Sequence, residues 1–160
     1  MCMLDGSLRS RGLQHIPQIL LATTPTSTEH HLIAWIAANR ALSLKAERDE
    51  VRAFAHRAWG TGALLQADGG DGESWAAVCV ALGTCEYFED AIKIAEVALD
   101  QTRRQGSISG VAIASLCRAF SMFERGQILD AIAELETALH AREAGWDGRP
   151  RSRRHFSPGA

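Results

Sequence analysis

The side chains best equipped for chemistry are three histidines, a pair of cysteines and one acidic loop. His30 and His31 are adjacent and His56 stands apart. Metal ligands on a helix need to lie one turn apart, as in HExxH, and no HExxH occurs, so surface or helix-capping roles are expected for these histidines. Cys79 and Cys85 are six residues apart, which does not bring both to one helical face. They form neither a CxxC pair nor a metal pair, and Cys79 is expected to fill a small packing slot in the core. The segment from Asp68 to Glu73 carries acids and glycines as a calcium loop does, without the alternating acids and closing glutamate of one. The acid pairs Glu89-Asp90 and Glu134-Glu136 fall where solvent-facing helix positions are expected, which gives general acid and base chemistry no support. No GxSxG, no GxxxxGK[ST] and no cysteine with a histidine at motif spacing is present. The expectation is a protein that is not an enzyme and uses no metal or cofactor.

The elements that would position these side chains read as helices throughout. Ala91, Ile94, Ala95, Ala98 and Leu99 recur at steps of three and four, as do Ile128, Ala131, Ile132, Leu135, Ala138 and Leu139. From Phe88 to Trp146 this predicts a helix, a turn at Gly106-Ser107, a second helix, a turn at Gly126 and a third helix ending at Gly145. Upstream, Thr26 with Glu29 matches a capping box, which predicts a helix beginning near Ser27. After a turn near Ala46, the stretch from Glu50 to Gln66 is expected as one further helix. The segment from Ala67 to Gly72 is a loop, with three glycines and two aspartates in six residues. Another helix is expected from near Ser74 to near Thr84. No proline occurs between Thr26 and Arg149, which argues for an all-helical body. Three segments follow: an irregular leader over 1–28, a helical-repeat domain over 29–146, and an Arg-rich, disordered tail over 147–160.

Composition fits that body. The 160 residues are 46% hydrophobic and 22% charged, with a formal net charge of −2. Such a chain buries a core without disulfides or metal. Residues 148–160 hold four arginines and no acid, so the first 147 residues carry a net −6, a poor match to a phosphate-binding surface. No secretory signal is recognisable, and the four cysteines suggest reduced thiols in a cytoplasm. The longest apolar run near the start, Ile19 to Ala22, is far below the roughly 20 residues of a membrane span.

A step of 40 residues relates Trp35 to Trp75, and Leu42 to Leu82 and Met122. The same step joins Val51, Ala91 and Ala131, then Ala55, Ala95 and Leu135, then Ala58, Ala98 and Ala138. Periods of this length mark stacked supersecondary units, so the fold expected is an all-α, right-handed solenoid of about three helical hairpins. Trp75, Cys79, Leu82, Phe88, Ala91, Ala95 and Ala98 resemble the tetratricopeptide repeat in their alternation of large and small positions, and Ala119, Met122, Gly126, Ile128, Ala131, Leu135 and Ala138 resemble it again. The wording from Leu99 to Leu139, followed by EAGW, resembles the helical-repeat region of the large ATP-binding LuxR-type regulators, which include the maltose-regulon activator. That family places a nucleotide-binding ATPase before its helical sensor and a DNA-binding helix-turn-helix after it. The resemblance covers roughly 48–146. With no phosphate loop and only fourteen residues beyond Trp146, it extends to the middle of such a regulator, without the ATPase and without direct nucleic-acid binding.

In the repeat register, the first helix of each hairpin lines an inner face carrying Ile33, Ile36, Arg40, Val80, Ile113, Leu116, Phe120 and Phe123. An apolar face of this kind suits a protein or peptide partner, or a small apolar ligand. The same residues would equally pack against a second copy or the leader. The expected function is therefore a ligand-sensing or interaction module related to a transcriptional regulator. A self-associating adaptor is the alternative, with a small helical enzyme third.

Overall fold

The computed structural model describes residues 26–43 and 46–144, and within them the chain is helical with no strand. Most of the expected leader, the whole tail and the helix end at Gly145 lie outside the described residues. Helix α1 (Ser27–Ala41) starts at the expected capping box: Thr26 Oγ1 accepts from the Glu29 amide at 3.4 Å, and Glu29 Oε2 accepts from the Thr26 amide at 2.6 Å. The helices α2 (Arg48–Trp59), α3 (Ala63–Asp68), α4 (Ser74–Thr84), α5 (Phe88–Gln105), α6 (Ile108–Glu124) and α7 (Ile128–Glu143) follow. None is long and apolar enough to cross a membrane.

The continuous helix expected from Glu50 to Gln66 is broken into α2 and α3. Gly60, Thr61 and Gly62 have φ of 53°, 54° and 101°, a left-handed stretch no α-helix can hold. The cause is tertiary. A methyl group on Gly60 would lie 2.4 Å from His30 Cε1, so glycine gives the His30 ring room, and His30 Nδ1 donates to the Ala58 carbonyl at 2.8 Å. His30 is 7% exposed. The surface or capping role expected of it is thus replaced by a buried one, joining α1 to the end of α2.

Polar side chains close the remaining turns. Asp68 Oδ2 accepts from the Ser74 amide at 2.8 Å at the start of α4. Ser107 Oγ accepts from the Gly110 amide at 3.0 Å, the cap expected for α6. Asp71 accepts from both Ser107 and Ser109, tying the glycine-rich loop to that same end.

Helix α1 packs on α2 and α4, α2 on α4, α4 on α5 and α6, α5 on α6, and α6 on α7. The core runs through these contacts. Trp75 is fully buried with Ile33, Val51, Leu64, Leu65, Val78 and Leu82 around it. Alanines fill the seams: Ala55, Ala58, Ala91, Ala95 and Ala98 are 0% exposed. Such residues let helix axes approach to about 8–10 Å.

Two glycines separate steric from conformational cost. A methyl on Gly110 would sit 2.4 Å from Thr102 Cγ2 and 2.9 Å from the Gly70 carbonyl oxygen, whereas one on Gly106 would meet nothing within 4 Å although φ there is 66°. Gly110→Ala should cost about 2–3 kcal/mol through forced separation of α5 and α6. Gly106→Ala should cost only about 1 kcal/mol, the left-handed penalty. Urea denaturation of both variants checks the ranking, and equal losses would contradict it.

Candidate functional site

The eight residues expected on one apolar face divide into three groups. Leu116, Phe120 and Phe123 follow one another at steps of four and three along α6 and are 38%, 37% and 59% exposed. Val80, on α4, is 39% exposed. The Phe120 ring covers Gly83 on that helix so closely that a methyl there would lie 2.8 Å from Phe120 Cε1. These four side chains form a band from α4 across α6. Ile36 and Ile113 are half-buried, and Ile113 packs against the core.

Two residues leave the band. Ile33 is 0% exposed and belongs to the core, because its position on α1 faces the helices packed on it. Arg40 is exposed but engaged: Nη2 donates to both Glu50 carboxylate oxygens at 2.8 and 2.7 Å, and the guanidinium lies 5.7 Å from the Phe54 ring centroid. It is drawn toward α2 by charge and by the aromatic face.

A second cluster was not singled out in the sequence. Where α2 meets the α4–α5 turn, Asp90 Oδ2 accepts from Arg52 Nε at 2.8 Å and pairs with His56 Nε2 at 2.9 Å. Arg48 donates to the Cys85 carbonyl at 3.0 and 2.8 Å and pairs with Glu86; Tyr87 donates to Asp49; and Arg125 pairs with Glu89. Arg52 also stacks 4.6 Å from the Tyr87 ring centroid. Glu86 holds the turn with φ of 65°. Asp90 is only 16% exposed, so it is no solvated face residue, and the same correction applies to Glu134, which is 17% exposed and bonded to Arg118 at 2.7 Å. Ion pairs between residues some 38 apart leave no local sequence signal; only the fold brings them together.

The other candidates serve as fixtures. His31 Nδ1 lies 2.7 Å from Ser74 Oγ and 3.7 Å from Asp68, which joins α1 to α4. Both loop aspartates are committed to helix starts. Among the described residues no group of three or more histidines, cysteines and acids is placed to hold a metal. Cys79 is 1% exposed, in the core as expected. Its thiol is pushed well above the ordinary value by the hydrogen bond with Cys117 and by burial, which keeps Cys79 protonated and inert.

Burial alone would raise the Asp90 carboxyl, but the bonds from Arg52 and His56 outweigh it and hold the group below its usual 3.8. A depressed carboxylate stabilises the fold above its unfolded value and loses that contribution as pH falls through the lower folded value. Asp90→Asn should therefore be roughly 1 kcal/mol less stable at neutral pH, with the gap closing as the pH is taken below 3.8 and through the lower folded value. Denaturation midpoints across that range check this, and parallel curves would refute it. Compared with protein-family models, curated proteins and solved structures, the chain matches none.

Proposed function

We propose that this chain is a non-catalytic, tetratricopeptide-like stack of three helical hairpins that binds a protein or peptide partner across the first helices of its hairpins. The pairs would be α1 with α2, α4 with α5, and α6 with α7. Burial favours the 40-residue register. Val51, Ala91 and Ala131 are 0%, 0% and 2% exposed, and Ala58, Ala98 and Ala138 are 0%, 0% and 5% exposed. The order of packing favours it too, since extensive contacts join each hairpin to the next in sequence.

The single observation that carries the binding reading is the band of Val80, Leu116, Phe120 and Phe123. Large apolar side chains that stay 37–59% exposed at helical spacing, with two aromatics among them, have the chemistry of a helix-receiving surface. The resemblance of residues 48–146 to the sensor region of LuxR-type regulators gives the band a role in signalling. Occupancy would bias contacts between adjacent hairpins, and an effector attached to the stack would respond to that shift.

Photo-cross-linking in the host cell tests the reading. A photoreactive phenylalanine analogue at Phe123 or Leu116 should give discrete adducts that are absent when it replaces the exposed Gln66 on α3. Adducts no stronger at the band than at Gln66 would overturn it.

A further inference from the structure

The outer face of α7 carries large apolar side chains that no helix among the described residues covers. Ile128, Ile132, Leu135 and Leu139 follow one another at steps of four, three and four, and are 47%, 47%, 43% and 57% exposed. Ala131, Ala138 and Ala141, turned to one flank of that stripe, are buried. One repeat earlier the corresponding stripe of α5 is covered: Ile92, Ala95 and Leu99 are 8%, 0% and 2% exposed, and α5 is the helix on which α6 packs. What covers α5 is thus the first helix of the next hairpin.

The opposite side of that interface is open at the other end. On α6 the positions buried below a preceding hairpin include Ala112, Ser115 and Ala119, at 0%, 0% and 2%. Their counterparts on α1 are Leu32, Trp35 and Asn39. Leu32 is 43% exposed and Trp35 is 45% exposed, whereas Trp75, in the same register on α4, is fully buried. Leu42 continues the stripe at 72%, against 0% for Leu82. Asn39 is the one polar member, and its Nδ2 donates to the Trp35 carbonyl at 2.8 Å, which meets one of its two N–H groups.

The two open faces are therefore the two sides of one interface that the chain already makes internally between α5 and α6, and again between α2 and α4. We infer that the outer face of α7 docks on the free side of α1 of a second copy, so that copies join head to tail. Both sides carry larger residues than the internal interface does: Leu135 stands for Ala95, and Trp35 for Ser115. The joined helices would sit toward the upper end of the about 8–10 Å range and bury more apolar surface than α5 and α6 do. Such a contact is heterologous, and each added copy leaves one end of each kind open. The inference rests on the register proposed above and not on the partner band.

Sedimentation of the full chain over a concentration series tests it. The wild-type mass should rise with concentration past that of a dimer. Leu139→Asp and Trp35→Asp, each at an exposed site, should both sediment as monomers, with association weakened on the order of 100-fold and helix content unchanged by circular dichroism. Leu32→Asp replaces Trp35→Asp should the latter lose helix. The decisive sample is the equimolar mixture of the two variants. Each retains one intact face, so the mixture should form a 1:1 dimer that grows no further. A mixture that stays monomeric overturns the inference, as does a Trp35→Asp chain that still dimerises, which would mean two α7 faces pair with each other. A wild type monomeric at every concentration also overturns it. Cross-linking at Phe123 reads a different face and should persist in a Leu139→Asp chain, so the two proposals fail separately.

Discussion

Everything in this structure depends on helices being able to approach one another closely, and that rests on alanine. Small residues recur on the buried faces of the helices: Ala55 and Ala58 on α2, Ala77 and Ala81 on α4, Ala91, Ala95 and Ala98 on α5, Ala112 and Ala114 on α6. Each side chain contributes little transfer free energy itself. Its effect is indirect, because the short distance it permits lets the few large residues, Trp75 above all, be enclosed completely. A larger residue in a seam would separate two helices and expose the neighbours of both.

Close approach fixes distance but leaves the angle and register between hairpins free, and polar groups supply that restraint. Asp71 ties the loop after α3 to the start of α6, Asp90 gathers Arg52 and His56 across two hairpins, and Arg118 on α6 reaches Glu96 on α5 at 3.7 Å and Glu134 on α7 at 2.7 Å. Asp90 and Arg118 are 16% and 18% exposed, so leaving either unpaired is more costly than losing a surface pair. Thr102 shows the two kinds of restraint acting together. Its methyl fits against Gly70 and Gly110, while its hydroxyl donates to the Leu99 carbonyl at 3.0 Å.

Period and capping made most of the helices legible in the sequence. The boundaries at Ser27, Ser74, Phe88 and Gly106 agree with the structure, those at Ser27 and Gly106 because a capping box and a left-handed glycine act through their immediate neighbours. The break at Gly60–Gly62 was not legible, since it answers to His30, thirty residues earlier in the chain. The site divides in the same way. Leu116, Phe120 and Phe123 lie on one helix and their spacing suffices to group them, whereas placing Ile33 and Arg40 requires knowing which neighbours α1 has. The charge cluster around Asp90 needed the tertiary fold entirely.

On the proposed repeat register, the exposed apolar residues have two different origins. The band on α4 and α6 is exposed on helices that pack against both earlier and later helices, so its exposure belongs to the sequence chosen for those positions. The stripes on α7 and α1 are exposed because no helix is described beyond them, while their internal counterparts are buried. The band is thus the better candidate for a partner of different sequence, and the stripes for a surface like the chain's own. If copies do join through α7 and α1, the first helices of successive copies would be brought into one row. Their bands would then form a single longer surface, whose affinity for an extended partner would rise with the number of copies joined.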